Sequence, residues 1–339
     1  MTIIKNLGNE DNCKKIIQAI NSPYMINVNV TDAEETGKWI YYINMDYDYR
    51  YNGFSSLVKT LLQLLAYSDF FGFCPVVRIG PNSMYYDESA GLGDNVFEYF
   101  FKTVSDIGVT DINRYMKVTR SKPYDATLFG KMGSYEIPDE QEIDFLAKIF
   151  KKYMKLNDRV KETIEFELNE AANGGKTLGV HVRATDFNQG YNRHPVAVSP
   201  AEYLDIAKKA FTERKYEKIF LATDDQRVVN LFQDCFGDKL EFYKNTYRSV
   251  DGNAIHYGNY MVEREHHKYL LGLEIIKDFY TLGMCDGLIA GNSNVSICAR
   301  IVKRAREEKY DYIEIIDKGI HHNLKEVRSP FHNMLKKKL

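Results

Sequence analysis

The segment GVHVRATD, residues 179–186, places three side chains capable of acid–base or anion-binding chemistry at the end of an apolar run. His181 and Arg183 are two residues apart, so on a β-strand they share one face, and Asp186 follows three residues later. A guanidinium presents a planar fork that suits two phosphate oxygens. Arg183 is therefore a candidate phosphate ligand, and His181 a candidate ligand of a base or a phosphate. The alternatives are a structural ion pair of Arg183 with Asp186 or Asp224, and a hydrogen-bonded core role for His181.

Two other apolar runs also end in polar residues, ATDD at 222–225 and GNSNVS at 291–296. Ligands of open parallel sheets bind outside the carboxyl ends of the strands, so we expect the three segments to converge on one place. Asn292 or Ser293 can cap the helix that follows, whose first N–H groups form an anion site. A plain capped helix is the alternative. Together with Arg183, this helix start predicts a diphosphate clamp.

The adjacent acids Asp224 and Asp225 do not predict a metal site, because neighbouring side chains on a strand point to opposite sides. We expect one of them to hydrogen-bond a ribose or the backbone, and we expect no metal ion. Two segments resemble nucleotide motifs only in part. GGKTLG at 174–179 has Glu170 where a P-loop has its leading glycine, and GLGDNVF at 91–97 lacks a third glycine. Neither predicts ATP or dinucleotide binding.

The first half of the chain has a strand–helix–strand pattern. KWIYYINM (38–45) predicts a strand, apolar positions at helical spacing from Leu57 to Leu65 predict a helix that ends at Gly72, and CPVVRI (74–79) predicts the next strand. From Asp139 to Ala172 nearly every residue favours helix, which predicts one long helix or two, ending at NGG.

The second half alternates strongly between strand and helix patterns. The predicted strands are TLGVHVR, KIFLATDD, KLEFYK, DGLIAGN and YIEII. The helix after the first of these has Ser199 at its cap and Pro200 at its first position. This alternation predicts a doubly wound α/β domain. We therefore predict an α/β protein with two Rossmann-like lobes and a site in the cleft between them, an N-terminal lobe at 1–172 and a C-terminal lobe at 173–339.

Composition excludes several classes of protein. The chain has 339 residues, 44% hydrophobic and 27% charged, with a net charge of −2, which is typical of soluble globular proteins and gives no basic footprint for nucleic acid. Its five cysteines are scattered without C-x-x-C spacing, and the N-terminus is polar. We therefore expect a cytoplasmic protein with no transmembrane segment. The C-terminal HNMLKKKL allows contact with an anionic membrane surface, although three lysines are usually a solvated end.

In their order along the chain, GVHVRATD, AEYLD, FLATDD and IIKDFYTLGMCDGLIAGNSNVS resemble the C-terminal half of the α1,6-fucosyltransferase and nodulation fucosyltransferase family. More loosely, they are similar to the wider fucosyltransferase superfamily. The resemblance covers about 120 residues, from Gly179 to Arg300. It implies a GT-B fold and an inverting, metal-independent transfer of fucose from GDP-fucose to a hydroxyl of a glycan acceptor.

The resemblance also implies roles for individual residues. His181 and Arg183 match the family's His-x-Arg motif, which binds the guanine side and the β-phosphate, and Asp278 matches an acid that contacts guanine. Asp186 matches the acid that closes this motif, and the other matches are Tyr203, Thr223, Asp224, Asp225 and Ser293. The predicted donor-binding set also includes the helix start at Asn294, Val295 and Ser296. The resemblance assigns the N-terminal lobe to the acceptor and the C-terminal lobe to the donor.

The chain departs from the family where the catalytic base is expected. The family has a lysine directly after the His-x-Arg-x-x-Asp motif and an acid four positions further on, whereas this chain has Phe187 and Tyr191. The predicted catalytic residues are therefore Arg183 together with a base, Asp186 or His194. Two alternatives remain open: the same fold with another nucleotide-sugar donor, and a catalytically inactive protein that binds GDP or a glycan.

Overall fold

The computed structural model describes residues 39–46, 52–114, 117–129, 137–171, 175–185, 195–252 and 264–321. These residues form two compact units. One comprises the described parts of Met1–Ser134 and Pro138–Lys161 together with Lys268–Gly272, and the other comprises the described parts of Tyr135–Ile137, Glu162–His267 and Leu273–Leu339. The predicted lobe boundary at 172/173, with its acceptor and donor assignments, stays a prediction.

The first unit has a three-stranded parallel sheet of order β2-β1-β3. Strand β1 (Ile40–Asn44) is central, between β2 (Cys74–Arg78) and β3 (Val118–Arg120). The connecting helix α1 (Phe54–Phe71) is almost entirely buried, and it ends at Gly72, whose φ of 68° continues the chain in the left-handed region. The predicted strand–helix–strand order is confirmed, whereas β3 had no sequence signal.

Further helices of the chain are α2 (Pro123–Thr127), α3 (Glu140–Tyr153) and α4 (Asp158–Ala171). The predicted helical stretch from Asp139 is thus two helices, and the first begins where the Asp139 side chain accepts from the N–H of Glu142. Tyr153 is the last residue of α3, and Asn157 accepts the N–H of Val160 through its side chain, which starts α4.

The second unit has a five-stranded parallel sheet of order β6-β5-β4-β7-β8. The bounds are β4 (Thr177–Val182), β5 (Lys218–Thr223), β6 (Leu240–Glu241), β7 (Gly287–Gly291) and β8 (Tyr312–Ile316). Starting from β4, the chain adds β5 and β6 on one side of the sheet and then β7 and β8 on the other side. The direction in which strands are added therefore reverses between β4 and β7. Open α/β sheets bind ligands at such a switch point, beyond the carboxyl ends of the two strands.

Four helices connect these strands: α5 (Pro200–Glu213), α6 (Gln226–Phe236), α7 (His267–Met284) and α8 (Asn294–Ala305). Ser199 caps α5 by accepting the N–H of Glu202, as its sequence predicts. Apolar side chains of β4 and β5, among them Val180 and Leu221, are fully buried in the core. The predicted α/β class is confirmed, because each unit contains a parallel sheet and helices connect the strands.

Within the described residues, no helix is both long enough and apolar enough to span a bilayer.

Candidate functional site

The strand end of β4 and the helix start after β7 meet at the switch point. Nδ1 of His181 lies 3.4 Å from Oγ of Ser293, and both residues are buried. His181 is the last residue but one of β4, and Ser293 follows β7 by two residues. Burial, together with the neighbouring Arg183 cation, lowers the pKa of His181 to about 3, so the ring is neutral at physiological pH.

The first turn of α8 is held by a reciprocal cap. Oγ of Ser293 accepts the N–H of Ser296, and Oγ of Ser296 accepts the N–H of Ser293, each at 3.2 Å. Oγ of Ser296 also donates to the carbonyl of Gly291 at 2.9 Å, which ties the helix to the end of β7. The backbone N–H groups of Asn294 and Val295 donate to no described residue. These two groups, at the positive end of the helix, are suited to bind an anion.

Arg183, just beyond β4, is held by an acid from the neighbouring strand end. Its Nε lies 3.3 Å from Oδ2 of Asp224, and its side chain is about one-fifth exposed. Asp224 also accepts the N–H of Ala184 at 3.0 Å and the hydroxyl of Thr185 at 2.6 Å. The ion pair considered as the structural alternative is therefore present, and it orients the guanidinium at the carboxyl end of the sheet.

Asp225, next to Asp224 in the sequence, caps helix α6. It is almost fully buried, accepts the N–H of Arg227 at 2.8 Å as the helix cap, and forms an ion pair with the side chain of Arg227. Oγ1 of the buried Thr223 accepts the N–H of Asp225 at 3.3 Å. The two adjacent carboxylates thus contact different elements. No group of three or more His, Cys, Asp or Glu side chains in the described part of the chain could hold a metal ion.

Tyr203 connects α5 to the end of β7. Its side chain is buried, and a Cβ added at Gly291 would lie 2.3 Å from its hydroxyl oxygen. Glycine is required at 291 because the tyrosine hydroxyl occupies the space of a side chain. Burial raises the pKa of Tyr203, so the hydroxyl stays protonated.

Asp278 of α7 lies close enough to Asp224 for their charges to interact. It is partly buried and makes no hydrogen bond or ion pair with a described residue. Its pKa is raised to about 7, mainly by burial; Arg248 and Lys277 oppose the increase, while Glu274 and Asp224 add to it. An unpartnered carboxylate of this kind can accept hydrogen bonds from a ligand.

Sequence reasoning missed Arg248, which lies in the irregular segment after β6. The N–H of Ser249 donates to the carbonyl of Asp224, and the carbonyl of Ser249 accepts the N–H of Gln226, so this segment runs beside the end of β5. Arg248 is buried there. No local pattern marks it, because an arginine between polar residues predicts a solvated side chain.

The structure places most of the predicted donor-site residues at the carboxyl ends of β4, β5 and β7. Those on or next to these ends are His181, Arg183, Thr223, Asp224, Asp225, Ser293, Asn294, Val295 and Ser296. Asp278 and Tyr203 extend the set from helices α7 and α5. Asp186 and His194, the two candidate bases, lie outside the described residues, and the roles of all these side chains stay predictions.

No family model and no curated protein matches the chain. Among solved structures, it is similar to the fucosyltransferase NodZ from Bradyrhizobium, with 18% identity, 78% of this chain and 93% of the other covered, and a TM-score of 0.48. A NodZ α-1,6-fucosyltransferase soaked with GDP-fucose matches at 17% identity, with 78% and 92% covered and a TM-score of 0.45. POFUT1 in complex with GDP-fucose matches at 11%, with 84% and 99% covered and a TM-score of 0.45.

These neighbours are fucosyltransferases, the class that the sequence motifs resemble. All three TM-scores lie below 0.5, which is too low for the similarity alone to assign an activity.

Proposed function

We propose that the chain is a glycosyltransferase of the GT-B type that transfers fucose from GDP-fucose to a hydroxyl of a glycan acceptor. The observation that supports it most is the contact between His181 and Ser293, which joins the end of β4 to the capped start of α8 at the switch point. At this edge of the sheet, a diphosphate would accept hydrogen bonds from the N–H groups of Asn294 and Val295 at the start of α8, which follows β7. The Arg183 guanidinium, beyond the end of the neighbouring β4, would bind it from the other side.

The guanine base is assigned to Asp278. A carboxylate can accept hydrogen bonds from both N1–H and the 2-amino group of guanine, and no other common base offers this pair of donors in the same geometry. Asp278 has no hydrogen-bond partner among the described residues, and its charge interacts with Asp224 at the end of β5. The motif resemblance assigns the same role to the same residue.

The proposed reaction is an inverting displacement without a metal ion. The acceptor oxygen forms a bond to the anomeric carbon from the face opposite the diphosphate while the bond from that carbon to the phosphate oxygen breaks. The electron pair leaves with the diphosphate, where Arg183 and the N-terminus of α8 stabilise the developing charge. The acceptor proton passes to a base, Asp186 or His194. A role in glycan biosynthesis and a cytoplasmic location belong to the same proposal.

A panel of nucleotides tests the donor assignment. We expect GDP to raise the melting temperature of the protein while UDP and ADP leave it unchanged, because only guanine satisfies Asp278. Incubation with GDP-fucose and a panel of glycans should then release GDP, with GDP-mannose as the matched control donor. Stabilisation by UDP instead would show another donor, and GDP binding without turnover on any acceptor would show an inactive binding protein.

A further inference from the structure

Arg248 is a buried cation without an ion-pair partner among the described residues. Its Nη2 donates to the carbonyl of Tyr243 at 2.8 Å and its Nη1 to the carbonyl of Thr246 at 3.3 Å, both within its own segment. Its Nε is buried and has no partner, and its guanidinium lies 5.3 Å from the centre of the Phe242 ring. Burial lowers its pKa, so a buried arginine at this position needs nearby negative charge to offset its desolvation.

Two carboxylates of α7 supply that charge, Asp278 and Glu274. The segment of Arg248 packs along this helix on both sides of Asp278, because the N–H of Tyr247 donates to Glu274 and the hydroxyl of Tyr243 hydrogen-bonds the hydroxyl of Thr281. Glu274 is already engaged, because it forms an ion pair with Arg264 and accepts the N–H of Tyr247 at 3.2 Å. Asp278 has no hydrogen bond or ion pair within the described residues. The positive charge of Arg248 is therefore balanced mainly by Asp278, and the ionisation of the two groups is mutually dependent.

Four charged groups influence the ionisation of Asp278. Glu274 on its own helix and Asp224 from the end of β5 disfavour its ionised form, whereas Arg248 and Lys277 favour it. The charge of Lys277 is largely committed, because its ammonium pairs with Glu167 and lies 4.2 Å from the centre of the Tyr243 ring. Arg248 is thus the cation with the largest influence on Asp278. Because the pKa of Asp278 is already raised to about 7, a small change in its surroundings decides its charge near neutral pH.

We propose that Arg248 is a positioning residue for nucleotide specificity, keeping Asp278 ionised so that this carboxylate reads the N1–H and 2-amino group of guanine. The inference depends on the proposed function and names a determinant of the same site that the motif resemblance does not include. A protonated Asp278 carries a donor of its own and loses an acceptor, so it no longer fits the two donors of guanine.

The experiment compares the pH dependence of GDP binding, by calorimetry between about pH 6 and pH 8.5, in the wild-type chain and in variants. In the wild type, affinity should fall as the pH decreases through about 7. Arg248→Met should weaken GDP binding about fivefold at neutral pH if the pKa of Asp278 rises by about one unit, and the loss should shrink to less than about 1.5-fold at about pH 8.5. Arg248→Lys should restore most of the wild-type profile, because it retains the charge without the two-carbonyl geometry.

Two controls separate charge from structure. Lys244→Met removes an exposed positive charge from the same segment and should leave the profile unchanged. Asp278→Asn should bind GDP more weakly and keep only the pH dependence of the GDP phosphate itself, whose last proton dissociates near about pH 6. Thermal unfolding of each variant establishes whether it is folded.

The possible failures are distinct. If GDP binds to the wild type but Arg248→Met lowers its affinity equally at every pH, or Arg248→Lys fails to restore the profile, Arg248 is only structural and the inference is overturned while the proposed function stands. A flat wild-type profile overturns it even if Arg248→Met does not fold. If the wild type binds no GDP at any pH, both the inference and the proposed function are wrong.

Discussion

Nε of Arg183 lies 3.3 Å from Oδ2 of Asp224, so the cation assigned to the diphosphate is oriented by an acid from the neighbouring strand end. The same acid accepts hydrogen bonds from Ala184 and Thr185, which tie it to the chain that leaves β4. An arginine held in this way is preorganised, and it needs little rearrangement when negative charge develops beside it.

Replacing Arg183 by alanine should lower turnover of GDP-fucose by about 10²–10³-fold, as the loss of one preorganised donor to a developing charge does in other enzymes. The side chain is partly exposed and lies beyond the end of β4, so the fold should persist. GDP release measures turnover, and thermal unfolding measures the fold. Arg214→Ala is the control, because Arg214 follows α5 and its guanidinium lies over the ring of Tyr312 at the start of β8, not at the carboxyl ends of the strands. Near-normal transfer by the Arg183 variant would contradict its phosphate role.

The buried His181 should make the stability of the protein depend on pH. Its pKa is about 3 in the folded chain against 6.5 for an ordinary histidine, so between these values only the unfolded chain binds the proton. The contribution of the neutral His181 ring to the free energy of unfolding is complete above pH 6.5. It decreases as the pH falls towards 3, by up to about 1.4 kcal/mol per pH unit. Urea unfolding at about pH 7 and pH 5 should therefore show a loss of about 2 kcal/mol that His181→Gln lacks.

The two proteins must be compared with each other, since other groups also titrate between these pH values. An equal loss of stability in the wild type and His181→Gln would mean that the ring is protonated, or solvated, in the folded state.

Removing the hydroxyl of Ser296 should affect both stability and ligand binding. This hydroxyl bonds Ser293 and the carbonyl of Gly291, so Ser296→Ala should lower the free energy of unfolding by about 1–3 kcal/mol. It should also weaken GDP binding, because the cap orients the N–H groups of Asn294 and Val295. Ser199→Ala removes the cap of α5 and is the matched control. It should lose about 1 kcal/mol without a change in GDP affinity, and an equal effect of both variants on GDP would rule out a special role for α8.

The close approach of Gly291 and Tyr203 predicts a coupled pair. In Gly291→Ala the new Cβ would lie 2.3 Å from the Tyr203 hydroxyl oxygen, so the variant should lose about 1–3 kcal/mol of stability. Tyr203→Phe removes that oxygen and should rescue part of the loss in the double variant, measured by a double-mutant cycle from denaturant unfolding. Gly53→Ala, where a Cβ has nothing within 4 Å, is the control. If the stability losses of Gly291→Ala and Tyr203→Phe simply add in the double variant, the new Cβ does not clash with Tyr203, and a shift of α5 has relieved the contact.

Much of the second unit could be predicted because its signals are local. The alternation of apolar and helical periods, the Ser199–Pro200 start and the polar residues that follow each strand are all written in short windows of sequence. The first sheet was only partly predictable, since β3 is three residues long and has no pattern of its own. The irregular segment containing Arg248 carried no signal, because its burial depends on contacts with residues distant in the chain.

The amino-acid sequence by itself determined the α/β class, the order of strands and helices in the second unit, and the candidate phosphate ligands at the strand ends. Tertiary structure alone decided that β4 lies between β5 and β7, that Asp224 pairs with Arg183, and that the segment of Arg248 packs along the helix that carries Asp278. The physical reason is that periodicity and capping involve neighbours along the chain, whereas strand order, burial and charge pairing arise from packing between segments far apart in sequence.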